Sequence, residues 1–129
     1  MNKQENKVMK RQAEQRLASE IEEVMKHNET ENLQWQGTKV DLIEAVYAAF
    51  TSCQLQNDEG EYLSFINIVR DVCRILHLPQ PRNPYETAAR GLRRKGFRRH
   101  PFMDRYLLKI NRQPNCHPLW EQIASATNL

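Results

Sequence analysis

The sequence predicts an all-α protein, a compact helical domain of winged-helix or helix-turn-helix type with at most a vestigial wing, joined to a long N-terminal helix. Three observations lead to the all-α class. Apolar residues recur at helical spacing in several separate stretches. No alternating run of strand length occurs, and the prolines stand between those stretches or in their first turns. With 129 residues, 40 % apolar and 27 % charged, the chain can build one core and little more. The expected division is a helical arm and polar linker over residues 1–32 and a helical domain over residues 33–129.

From Gln4 to His27 the chain lacks Gly and Pro and is rich in Glu, Lys, Gln and Ala, which lose least on entering a helix. Val8, Ala13, Leu17, Ile21, Val24 and Met25 form a thin apolar stripe, suited either to docking on the domain or to pairing with a second copy. Its carboxylates, and those of the linker, are expected on a solvated face. The polar run from His27 to Asn32 ends this helix.

Thr38 with Asp41 resembles a capping box, and Leu42, Ile43, Val46, Tyr47 and Phe50 continue at helical spacing, predicting a helix over 38–51. Asn57 to Gly60 supplies a turn. Tyr62, Phe65, Ile66, Val69, Val72, Cys73 and Leu76 then predict the most buried helix, from Tyr62 to Leu78, stopped by Pro79 and Pro81. Asn83 as N-cap, Pro84 in the first turn and Glu86 behind them start another helix. There Tyr85, Ala88, Ala89 and Leu92 are expected inward, with Thr87, Arg90, Gly91 and Arg94 outward. A short basic loop from Lys95 to Pro101 leads to a helix with Phe102, Met103, Tyr106, Leu107 and Ile110 inward, ending before Pro114. A last helix is expected after Asn115 or His117, with Pro118 in its first turn and Trp120, Ile123 and Ala124 facing inward.

No apolar run is long enough to span a membrane and the first sixteen residues are too polar for an export signal, so a cytoplasmic chain is expected. Three widely spaced cysteines, Cys53, Cys73 and Cys116, fit reduced thiols rather than a disulfide framework. Adjacent Cys116 and His117 rarely point at one another, and Cys73 with His77 is a lone pair at metal-ligand spacing. No glycine-rich phosphate loop or hydrolase motif occurs. The expectation is therefore a non-enzyme with no cofactor, no metal and no small-molecule substrate.

Charge supplies the concentrated signal. Residues 1–81 carry −4 and residues 113–129 carry −1, whereas residues 82–112 hold ten Lys and Arg against Glu86 and Asp104, for +8. Eight of those ten are arginine, whose guanidinium fork matches phosphate oxygens and guanine edges. A helix carrying arginines on its outer face beside a basic loop suits a major groove with flanking phosphate contacts. The connection from Pro79 to Asn83 is longer than in most helix-turn-helix units.

The stretch Leu33-Gln-Trp35-Gln-Gly37-Thr38-Lys39-Val-Asp41-Leu42-Ile-Glu44-Ala-Val-Tyr47-Ala48, with Tyr85, Leu92-Arg93-Arg94-Lys95 and Phe102-Met103-Asp104-Arg105, resembles the C-terminal region of RteC-type proteins, regulators of excision in bacterial conjugative transposons. The resemblance spans roughly Leu33 to Arg112 and implies a winged-helix-like DNA-binding domain of a mobile-element regulator. Arg93, Arg94, Lys95, Arg98 and Arg99 match that family's basic stretch by position, whereas Gly96, Phe97 and Pro101 depart from its more polar loop.

The functional expectation is a module that binds double-stranded DNA. Arg90, Arg94 and Thr87 approach bases, while Arg93, Lys95, Arg98, Arg99 and Arg105 hold phosphates. A protein-interaction adaptor is the alternative, in which the N-terminal helix forms a homodimer or takes another chain and the arginines meet an acidic partner. RNA binding is a third.

Overall fold

The structure is a computed structural model that describes residues 3–52, 55–93 and 100–125. Among them it contains five helices, α1 (Lys3–Met25), α2 (Lys39–Ser52), α3 (Phe65–Ile75), α4 (Pro84–Leu92) and α5 (Phe102–Arg112), and two short strands, β1 (Leu33–Trp35) and β2 (Ile123–Ser125). The protein is all-α, and the long first helix is present. No helix of the described residues is long and apolar enough to cross a membrane.

The apolar stripe of α1 is spent inside the molecule. Ala13, Leu17, Ile21 and Val24 are fully buried, and α1 packs on α2, α3 and α5 within one core. Of the two uses open to the stripe, docking on the domain is the one taken from Ala13 to Val24, whereas Val8 is exposed. After α1, Asn28 caps a 3-10 turn over Glu29–Glu31, and its side chain accepts from the Thr30 amide at 3.0 Å.

Strand β1 then pairs antiparallel with β2, Leu33 opposite Ser125 and Trp35 opposite Ile123. This pairing corrects the last expected helix. Trp120–Gln122 is a single 3-10 turn, the chain leaves it as strand, and Ala124 is exposed. Three residues of helical periodicity are too few to outweigh a backbone ladder already offered by β1.

Helix α2 begins as expected, with the Thr38 hydroxyl accepting the Asp41 amide at 3.1 Å. The buried Trp35 indole donates to the Thr38 carbonyl at 2.7 Å, and its ring lies so close over Gly37 that a Cβ there would stand 3.0 Å from it. A Trp-x-Gly-Thr start therefore locks strand to helix. α2, rather than α3, is the central helix, since residues 41 to 46 are buried right round the axis and it packs on all four other helices. Ala45, Ala48 and Ala49 permit that close approach.

Helix α3 starts three residues later than the apolar pattern implied. Gln56 and Tyr62 pair as an isolated bridge around the Asn57–Gly60 turn, with Gly60 at φ +80, and Ser64 supplies the N-cap. Tyr62 is accordingly exposed. At the other end the Leu78 amide reaches the Cys73 carbonyl at 2.8 Å and the His77 amide the Arg74 carbonyl at 3.4 Å, a Schellman ending with His77 left-handed at φ +61. The His77 ring compensates by bonding the Leu33 carbonyl through Nδ1 at 2.7 Å. Cys73 lies buried, and desolvation pushes its thiol up to about 11. Cys73 and His77 thus turn to separate tasks, and the described residues contain no group of three possible ligands placed to hold a metal. Cys53 lies outside the described residues.

Candidate nucleic-acid interface

Helix α4 forms where its start signals place it. Asn83 accepts the Glu86 amide at 3.2 Å, and Pro84 occupies the first turn. Its buried face, however, is rotated from the expected one. Pro84, Thr87, Ala88 and Gly91 are buried, whereas Tyr85 and Leu92 are about half exposed. The cause lies on α2. Tyr85 stays at the edge in a ring cluster with Phe65, at 4.8 Å, and Tyr47, at 6.2 Å. Gly91 instead turns to the Glu44 carboxylate, to which an added Cβ would approach within 2.4 Å.

This rotation removes Thr87 from the candidate site. It is 4 % exposed, and its hydroxyl donates back to the Asn83 carbonyl at 3.2 Å, so it cannot reach a base. Arg90 remains on the outer face, with Glu86 and Arg93 one turn to either side. Arg93 pairs with Glu86 at 3.0 Å, both side chains being more than half exposed, so a phosphate can displace the acid at little cost.

Arg105 is likewise a structural residue. Its Nη2 donates to Asp41 at 2.6 Å, its Nε to the His100 carbonyl at 3.1 Å, and its guanidinium stands 5.6 Å from the Phe102 ring centre. The Asp41 side chain is 3 % exposed, so Arg105 serves as its counter-ion across α2 and α5. Lys109 pairs with Glu121. Among the described residues, Arg82, Arg90 and Arg112 are exposed and make no ion pair. Arg94, Lys95, Arg98 and Arg99, together with the loop where a wing would fall, lie outside the described residues.

Behind this surface stands a set of buried acids that the sequence did not disclose as such. Glu20, expected in solvent, is 6 % exposed. Its Oε2 accepts from the Tyr106 hydroxyl at 2.6 Å and the Leu119 amide at 3.3 Å, and its Oε1 from the Trp120 amide at 3.1 Å. One turn earlier Arg16 donates to the Pro114 carbonyl at 2.6 Å and to that of Cys116. Glu44, fully buried, accepts the Met103 amide through Oε2 at 3.2 Å. Pro101 stands at the N-cap of α5 without a side-chain cap, so Glu44 performs that task from another helix. The signal for Glu44 was present, a lone acid within Leu42-Ile43-Glu44-Ala45-Val46. Burial and the Glu20 hydrogen bond raise the Tyr106 phenol well above its ordinary range.

Chemically the arrangement divides in two. Asp41 and Glu44 fix the first turn of α5 to α2, Glu20 fixes Tyr106 and the segment after α5 to α1, and Arg82, Arg90 and Arg112 meet solvent. The fold and surface therefore define an all-α protein with an arginine-bearing outer face on α4. No protein-family model matches the chain, and no curated protein and no solved structure matches it.

Proposed function

We propose that this chain is a cytoplasmic DNA-binding regulatory module whose duplex contact is residues 82–112, and that it acts on a mobile element, as its resemblance to RteC-type proteins implies. One observation carries the proposal. A segment of net charge +8 keeps Arg82, Arg90 and Arg112 exposed and outside any described ion pair, while Asp41 and Glu44, which bond its Arg105 and Met103, are buried. A surface of unbalanced guanidinium groups has a high affinity for closely spaced phosphates, and each phosphate neutralised releases counterions. Arg90 and Arg94 are the candidates for base edges; Arg82, Arg93, Lys95, Arg98, Arg99 and Arg112 are the candidates for phosphates.

The test is a salt titration of binding to a short duplex. The affinity is expected to fall by about 0.9 log units per log unit of salt for each phosphate contact. Replacing Arg82 and Arg112, the two phosphate candidates, together with Arg90 by Ala should make that slope shallower by roughly 2. An absence of duplex binding at low salt overturns the proposal, and single strands competing better than duplex reassign the surface to RNA.

A further inference from the structure

Towards its N-terminal end α1 leaves the body of the protein. Ala13 is fully buried, whereas the described side chains from Lys3 to Gln12 are exposed apart from half-buried Met9. At 1.5 Å per residue this overhang is about 15 Å long. The body beside it is the end of α5. Arg16 holds the carbonyls of Pro114 and Cys116, which follow directly on the exposed Arg112.

Positions 3, 7, 10, 14, 17, 21 and 24 alternate four and three residues apart and so share one side of the helix. Within the body this seam is Leu17, Ile21 and Val24, all fully buried. Along the overhang the same seam is Lys3, Lys7 and Lys10, with Glu14 where it meets the body. Arg11 flanks it, and Glu5, the single acid from Lys3 to Gln12, falls on the opposite side. None of these four cations makes an ion pair among the described residues.

Solvation alone asks only for polar side chains at such positions, and either sign of charge would serve. At the far end of the same helix the exposed residues are Glu22 and Glu23. The excess of cations lies on the overhang, four against Glu5, whereas Lys26 just past the far end pairs with Glu23.

We propose that the overhang of α1 is a second phosphate-contacting surface, in which Lys3, Lys7 and Lys10 grip the duplex backbone beyond the segment 82–112. This inference rests on the duplex binding proposed above. Charge complementarity selects a phosphate backbone as occupant, because a row of ammonium groups one turn apart, with no acid interleaved, matches a regular line of anions.

The experiment compares wild type with the triple variant Lys3→Ala, Lys7→Ala, Lys10→Ala and with Lys26→Ala, a cation at the other end of α1. Each is titrated with a short fluorescent duplex of arbitrary sequence across a salt series. The triple variant is expected to bind more weakly, with a salt slope shallower by roughly 2 to 3, while Lys26→Ala matches wild type. Thermal unfolding should be unchanged, since the replaced side chains lie outside the core, and Lys7→Gln repeats the test with a single neutralised position. If wild type binds and the triple variant keeps its affinity and slope, the overhang inference falls and the duplex-binding proposal stands. If wild type does not bind, both fall. A triple variant whose oligomeric state differs from wild type by light scattering also overturns the inference, because the overhang is then a protein interface.

Discussion

The Glu20 carboxylate on α1 accepts a 2.6 Å hydrogen bond from the Tyr106 hydroxyl on α5, and the same carboxylate takes the amides of Leu119 and Trp120. One acid thus closes the C-terminal segment onto the first helix. Glu20→Ala leaves two buried donors and one part-buried donor without their acceptor, each worth about 1 kcal/mol. Thermal unfolding is expected roughly 10 °C lower, with Tyr106→Phe costing less because the amides keep their partner.

Alkaline stability follows from two groups. The Tyr106 phenol is raised chiefly by burial and then by Glu20, and the Cys73 thiol is raised by burial from 9.0 to about 11. A raised value means that the folded state holds its proton longer than the unfolded chain does. The contribution is complete below the unfolded value and is lost as pH rises through the folded one. For Cys73 that window runs from 9.0 to about 11. Urea denaturation across this range should show falling stability, and Cys73→Ala should flatten the fall.

Gly91→Ala tests the contact between α4 and α2. Alanine gains about 1 kcal/mol in helix propensity, but its Cβ would lie 2.4 Å from the Glu44 carboxylate in a fully buried site. Net destabilisation of about 1 to 3 kcal/mol is expected. In a double-mutant cycle with Glu44→Ala the two losses should not add, and full additivity would refute the contact.

Arg105→Ala and Arg90→Ala separate scaffold from surface. Arg105→Ala removes the Arg105 guanidinium from the buried Asp41 and should lower stability by about 2 kcal/mol, with little change in duplex affinity of the folded fraction. Arg90→Ala should leave unfolding within about 0.5 kcal/mol of wild type and weaken duplex binding. The opposite pattern in either variant would reverse the assignment of roles.

His77→Ala loses both the Leu33 carbonyl contact and nothing of the left-handed strain, so it should cost about 1 kcal/mol. His77→Gly relieves that backbone conformation while losing the same hydrogen bond, and should lie close to wild type in chemical denaturation.

The helices were legible because their signals are local. Asn83-Pro84 starts α4, Thr38 starts α2 and Pro101 precedes α5, each through backbone groups within one turn. The charge division was legible by counting. The buried face of α4 was not. Tyr85 and Leu92 fit an inward stripe as well as Thr87 and Gly91 do, until Glu44 on a distant helix reserves the space that only a glycine leaves.

The sequence by itself determined the helical class, the starts of α2 and α4 and the concentration of cations between residues 82 and 112, since propensity, capping and net charge depend on neighbours along the chain. Only the tertiary structure decided which charges belong to the scaffold. Asp41 draws in Arg105, and Glu20 and Glu44 are turned to backbone amides. A buried charge requires a partner, and those partners lie 59 to 100 residues away along the chain.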